Sequence, residues 1–291
     1  SNTDKDIFSF LFVNSDNAIL QAKKIDEEMG KNLPLLSGIP AIIKDNILVD
    51  GMRCTAGSKI LEHYQAPYDA TAIRKLKDQG VVILGKGNMD EFGMGSSTEN
   101  SAFGVTKNPI DLTRVAGGSS GGPSAAVASS QAIYALAADT GGSIRQPASF
   151  CGVVGLKPTY GAVSRHGLIS MASSLDQIGP ITKTVEDSQI VFDAISGKDP
   201  LDSTSIELQR EKQKSEEFKV GVPKEYFVSG MDPEVEKIIK DSIIKLEDHG
   251  VKVEEISLPH TEYALSEFTK RNENMSLSVF EILSKKASVS S

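Results

Sequence analysis

Cysteine is scarce in this chain. Cys54 and Cys151 stand 97 positions apart in 291 residues, too few for a disulfide framework or a zinc site, so a reducing compartment fits best. No apolar run reaches membrane-spanning length and the N-terminus has no signal-peptide pattern, so a soluble protein with no membrane contact is expected. Positive charge is in deficit as well. With 39 acidic against 31 basic side chains the formal net charge is −8, and no dense Lys/Arg cluster offsets it. Such a chain repels bare nucleic acid on average, so any tRNA or DNA would have to be held by a partner. Histidine, the usual base of serine enzymes, occurs four times, as His63, His166, His249 and His260. Internal repeats are absent. Apolar residues nonetheless make up 39%, enough for a real core in one large domain or two.

What is abundant is glycine and serine between Arg114 and Pro158. Three Gly-Gly pairs, 117–118, 121–122 and 141–142, flank Ser119, Ser120 and Ser143. Glycine loses the most backbone freedom on folding, so such pairs are unexpected unless the backbone must pass close to something or take a positive φ. Between them, residues 124–138 form a small, nearly uncharged, apolar run of helix length, which argues against a Gly/Ser linker. The segment predicts a buried hydroxyl site with room for a substrate.

Elsewhere helical and strand patterns alternate, which predicts an α/β protein. Residues 7–13 are expected as a strand. Ser15 or Asp16 caps a helix with Ile19, Leu20, Ala22 and Ile25 on one side, ending at Gly30. The run Gly38–Asn46 is β-branched and ends in Lys44, where a buried strand would deliver a side chain; solvation is the usual fate of such a lysine, but Asp45 and Asn46 beside it keep a functional role open. Asp69 caps a helix closed by Gly80, and a strand follows. Gly80 to Lys86 nearly spells a P-loop, yet Gly87 replaces the required Ser or Thr and the interior is a strand, so nucleotide binding is not expected there. Residues 88–113 predict loop and short helix covering a site, and residues 151–183 continue irregularly. Thr184 with Asp187 opens a helix stopped by Gly197. Residues 1–197 are thus taken as the core, 198–217 as a charged linker or excursion, 218–263 as a β-α-β unit whose helix starts at Asp232-Pro233, and 264–291 as a polar tail.

A serine needs a base before it can attack. The four histidines sit at positions better suited to structural roles. GGSSG matches the nucleophile elbow of α/β-hydrolases, but the residues before it carry a proline and two charges instead of a strand. An S-x-x-K arrangement fails too, because Gly122 and Gln146 stand three residues after Ser119 and Ser143. The remaining candidate is a lysine held neutral by burial, and Lys44 is the best placed. Consecutive N–H groups at Asp139–Ser143 offer an oxyanion hole, which makes Ser143 the better nucleophile and Ser119 the better relay.

With GGSSGG at 117–122 and DTGGSIR at 139–145, 24 positions from Ser119 to Ser143 and 75 from Lys44 to Ser119, the chain resembles the amidase signature family. The resemblance implies a mixed central sheet covered by helices on both faces. It implies that Ser143 attacks an amide carbonyl, that Ser119, on a non-proline cis peptide, relays the proton, and that Lys44 is base and then acid. The N–H groups of Thr140, Gly141 and Gly142 would hold the oxyanion, with no metal. MDEFGMGSSTENSAFG at 89–104, RQPASFCGVVGLKPTYG at 145–161 and SSLDQIGPIT at 173–182 are similar to the branch that hydrolyses glutamine within tRNA-dependent amidotransferases. That likeness implies glutamine as substrate and B and C subunits as partners. ATP and magnesium would be used by the partner subunit, with no cofactor in this one, and misacylated Glu-tRNA(Gln) or Asp-tRNA(Asn) would be held elsewhere in the complex. The location would be cytoplasmic, or the mitochondrial matrix if organellar. A stand-alone amidase acting on another small amide, or a silent truncated copy, are the alternatives. Pro123 stands where members commonly have a small residue, and is expected as the first residue of the next helix. Members begin with helices this chain lacks and continue past residue 291, and from Ser266 the likeness ends, so the sheet is expected to be incomplete at the C-terminal side.

Overall fold

β2 (Pro40–Lys44) is the strand from which the fold is best understood. Its neighbours β3 (Val82–Gly87) and β4 (Tyr134–Asp139) both run parallel to it. Such a strand is covered on both faces and tolerates a continuous apolar run in place of alternation. β1 (Phe10–Val13), β5 (Val154–Gly155) and β6 (Gln177–Thr182) complete a six-stranded mixed sheet in the order β1-β3-β2-β4-β6-β5. Because side chains alternate across a strand, Ile42 and Ile43 enter different cores. Ile43, Ile83, Leu136 and Ile178 pack with α3 (Thr71–Asp78) and α6 (Val185–Ile195). Ile42, Ala135, Ala137 and Ile181 pack with α4 (Gly121–Ala128) and Ala148 of α5 (Arg145–Phe150). Helices therefore cover both faces of a mixed sheet, as expected.

The computed structural model describes residues 4–28, 30, 32–208, 219–264 and 266, which fall into two compact units divided after Leu208. In the second, β7 (Lys219–Pro223) and β8 (Lys252–Ile256) pair in parallel, joined by α7 (Pro233–Asp248). Asp232 caps that helix by accepting from the N–H groups of Glu234 (2.8 Å) and Val235 (3.3 Å), and Pro233 follows where its missing N–H costs nothing. Most of the polar tail after Ala264 lies outside the described residues.

Several local expectations change. Residues 4–7 form a short helix, α1, that buries Ile7, and the first strand starts at Phe10. α2 (Ser15–Asp26) turns Ala18 inward and leaves Ile19 and Leu20 exposed; neither Ser15 nor Asp16 caps it, since Asn14 precedes it without a side-chain bond. Asp69 does not cap α3, because its carboxylate is engaged by the Asp50 N–H and by Lys77. The small-residue run is not one helix: α4 ends at Ala128 and the remainder is β4. Its smallness serves close packing. A Cβ at Gly122 would lie 2.5 Å from the Ser9 carbonyl oxygen. Pro123 is the third residue of α4, still inside the first turn, where no N–H is needed.

Residues 198–208 are largely exposed but are not a free linker, because buried acids tie them down. Asp199 and Asp202 are buried. Asp199 Oδ2 accepts from the hydroxyls of Thr71 (2.5 Å) and Ser164 (2.6 Å), pinning the segment to the start of α3. Asp202 receives Arg165 Nη2 at 3.0 Å and Nε at 3.2 Å. Charge composition suggested a linker because it counts acids without their partners. Residues 209–217 lie outside the described residues. Replacing Asp199 with Asn leaves buried hydroxyls poorly matched, and we expect a loss of about 1–3 kcal/mol in stability, read as a lower urea midpoint with an unchanged m-value.

Candidate active site

Because β2 and β4 are parallel neighbours, Lys44 and Asp139 leave the sheet at the same edge. Strand C-terminal ends are where open α/β sheets place their sites. Lys44 is 1% exposed, so this strand-end lysine is not solvated. Its Nζ donates to Ser119 Oγ at 2.7 Å and to the Ala138 carbonyl at 3.2 Å. Burial pulls the Lys44 pKa down from 10.5 to about 8, against the opposing pull of the Asp139, Asp90 and Asp176 carboxylates. An amine of that pKa is substantially deprotonated in mildly alkaline water.

Ser119 sits in the turn before α4, and the Gly118–Ser119 peptide is cis. The turn is held from both sides. Gln146 Oε1 accepts from the Gly118 N–H at 2.9 Å, while Gln146 Nε2 donates to the Ser96 carbonyl at 2.9 Å. The Ser120 N–H donates to the Ser143 carbonyl at 3.2 Å, and the Ser120 hydroxyl shares the Ala138 carbonyl with Lys44. Ser120 thereby couples the loop bearing Ser143 to the Ser119 turn. Ser143 is 7% exposed, and its hydroxyl makes no hydrogen bond among the described residues.

The loop from Asp139 to Arg145 folds around one carboxylate. Asp139 accepts from the N–H groups of Gly142 (2.8 Å) and Ile144 (3.0 Å), and from Arg145 Nε and Nη2, each at 3.0 Å. Burial pushes the Asp139 carboxyl up, but the Arg145 and backbone donors outweigh it and hold it below its usual range. This corrects one expectation: the Gly142 N–H is already committed to Asp139 and is not available to an oxyanion. The N–H groups of Thr140, Gly141 and Ser143 are unengaged among the described residues. The Thr140 hydroxyl donates to Asp176 at 2.6 Å.

Sequence reasoning missed four neighbours. Lys86, dismissed with the P-loop, is fully buried on β3, in register with Ile43, and pairs with Asp45 at 3.3 Å while donating to the Ile47 carbonyl at 2.8 Å. It fastens the turn that follows Lys44. Its signal was a lysine closing a β-branched run, the same pattern that picked out Lys44. Asp90, Thr98 and Gln146 carried no such signal. Two of the histidines have structural partners: His166 stacks on Tyr68 at 5.1 Å, and His249 lies at the end of α7, its Nδ1 2.7 Å from the Lys245 carbonyl. Among the described residues no cluster of His, Cys, Asp or Glu is arranged to hold a metal, and no helix is long and apolar enough to cross a membrane.

This arrangement can be set beside known proteins. The amidase family model matches residues 1–281. The A subunit of glutamyl-tRNA(Gln) amidotransferase from Moorella thermoacetica is 54% identical over 270 residues, covering 90% of this chain and 55% of that protein. Its counterpart in Heliobacterium modesticaldum is 55% identical over 267 residues, 89% of this chain and 55% of that one. The crystal structure of the same amidotransferase A subunit from Thermotoga maritima superposes with a TM-score of 0.84 at 41% identity, covering 99% of this chain and 64% of that one. The native peptide amidase of Stenotrophomonas maltophilia gives 0.75 at 32% identity, covering 87% and 55%. The chain spans about half the length of the curated relatives it matches. Its serine motifs, its sheet and these similarities agree: the chain belongs to the amidase family, that of the amidase signature.

Proposed function

We propose that this chain is the glutamine-hydrolysing part of a tRNA-dependent amidotransferase, with Ser143 as nucleophile, Ser119 as relay and Lys44 as base. The observation that carries the chemistry is the 2.7 Å bond between Lys44 Nζ and Ser119 Oγ in a dry site. A neutral Lys44 takes the Ser119 proton as Ser119 takes that of Ser143, and Ser143 Oγ attacks the side-chain amide carbon of glutamine. The N–H groups of Thr140, Gly141 and Ser143 meet the developing oxyanion. The proton held by Lys44 returns through Ser119 to the leaving nitrogen, the C–N bond breaks and ammonia departs. Water then attacks the acyl-enzyme by the same route and releases glutamate.

The amidotransferase assignment is supported by the amidotransferase relatives, whose 54–55% identity exceeds the 32% to the peptide amidase. On this reading ammonia passes to partner subunits of B and C type. There ATP and magnesium support amidation of misacylated Glu-tRNA(Gln) or Asp-tRNA(Asn), and the protein works in the cytoplasm or an organellar matrix. The formal charge of −8 suits a chain that leaves the tRNA to its partners.

Glutamate release from glutamine by the chain, alone and with B and C subunits added, tests the assignment. Ser143→Ala is expected to lower it on the order of 10⁴-fold or more. Turnover of other small amides in preference to glutamine would favour a stand-alone amidase. No turnover together with no covalent adduct at Ser143 would leave a silent copy. A second measurement addresses the base. The rate should rise with pH through about 8, because below that value Lys44 carries the proton it must accept. Lys44→Arg retains the charge but cannot deprotonate, so it should be as inactive as Lys44→Ala; an active Lys44→Arg would remove Lys44 from the mechanism.

A further inference from the structure

On the reading that Lys44 and Ser119 activate Ser143, the geometry points to Asp90 as a positioning residue for that pair: its carboxylate fixes Thr98, and Thr98 grips both ends of the turn that presents Ser119. Asp90 is fully buried, three residues beyond the end of β3. Its own N–H donates to the Ser119 carbonyl at 3.3 Å. Oδ2 accepts from the Thr98 N–H at 3.0 Å and Oδ1 from the Asn100 N–H at 3.1 Å. Thr98 has φ +59°, a left-handed backbone that a β-branched residue adopts only when its surroundings impose it. So held, its hydroxyl donates to the Gly117 carbonyl at 2.7 Å and accepts from the Gly121 N–H at 3.0 Å. One side chain thus brackets residues 118–120 from both flanks.

Glycine at two further positions makes room for the carboxylate. A Cβ at Gly118 would run into Asp90 Oδ2, and one at Gly95 would lie 2.6 Å from Asp90 Oδ1. These are close approaches of backbone to a buried anion, and they account for one glycine of the GGSSGG motif.

The anion also faces Lys44. Three carboxylates do so: Asp139 at the end of β4, Asp90 beyond β3 and Asp176 just before β6. Asp139 is committed to Arg145 by a 3.0 Å ion pair, whereas Asp90 is compensated by backbone N–H groups and by Lys44 at longer range. Burial pushes the Asp90 carboxyl up, and the Thr98 and Asn100 N–H groups and Lys44 oppose that push. Its negative charge favours the ammonium that forms when Lys44 accepts a proton.

The test uses the full chain and a fluorophosphonate probe, which phosphonylates an activated serine with loss of fluoride and needs no bound glutamine. The rate of adduct formation at Ser143 is followed by mass spectrometry across the neutral and alkaline range, with thermal unfolding of each variant alongside. Asp90→Asn is expected to lower the plateau rate roughly tenfold or more and to move the Lys44-dependent limb to lower pH. Thr98→Val keeps the anion but loses the grip, so it should lower the plateau and leave the limb in place. Folded Asp90→Asn with unchanged plateau and limb would make Asp90 merely structural and overturn the proposal. Should that variant fail to fold, an unchanged plateau in Thr98→Val overturns it instead. Failure of the underlying mechanism looks different: wild-type chain unlabelled at Ser143, or Lys44→Ala labelled as fast as wild type.

Discussion

The structure depends on an amine kept in a dry place without a carboxylate in contact. Two lysines end up buried on neighbouring strands, Lys44 on β2 and Lys86 on β3, and their surroundings differ. Lys86 meets Asp45 at 3.3 Å and the Ile47 carbonyl at 2.8 Å, an arrangement that suits a fastening role. Lys44 meets one hydroxyl and one carbonyl, and its acidic neighbours act from further away. A carboxylate in contact would hold Lys44 charged and, in the proposed mechanism, unable to act as base. Adjacent strands can therefore carry the same residue type to opposite ends, and what decides is which partner lies within hydrogen-bond reach.

Keeping Ser119 opposite that amine is the work of the backbone around it. The turn carrying Ser119 is tied to the sheet edge through the Ser120 hydroxyl and Ala138, to the Ser143 loop through the Ser120 N–H, to α5 through Gln146 and to the 96–100 loop through Thr98. No single tie exceeds an ordinary hydrogen bond of about 0.5–1.5 kcal/mol net. Anchoring from four directions removes the alternatives, which is what a site accurate to a fraction of an ångström requires.

Much of this was legible in the sequence, and what was not has physical reasons. Lys44 could be located because strand periodicity and a β-branched run mark a buried strand, and a lysine closing it is conspicuous. The α/β architecture followed from alternating helix and strand patterns with their capping signals, as at Thr184 and Asp232. The amidase motifs then placed Ser119 and Ser143. Composition misled where burial is achieved through pairing: Asp199 and Asp202 look solvated until Thr71, Ser164 and Arg165 are brought to them from distant positions. Asp90 and Gln146 were invisible for the same reason, their partners being backbone groups in other loops. The Gly142 N–H was expected to be free because a motif records residue types, and its bond to Asp139 is a property of the folded loop.

The three carboxylates around Lys44 solve a problem that burial creates. Desolvation alone would depress the amine further and, in the proposed mechanism, leave a base too weak to draw a proton through two hydroxyls. Contact with any one acid would overcorrect and restore a permanent ammonium. Anions that are themselves satisfied, Asp139 by Arg145 and N–H groups, Asp90 by the 98–100 backbone, and Asp176 by the Thr140 and Ser170 hydroxyls, exert their field without moving to pair. The resulting value of about 8 is a balance between a dry cavity and fixed charges at its rim. It is held by hydrogen bonds that never touch the lysine, so the base strength of Lys44 is a property of the loops after β3 and β4 as much as of β2 itself.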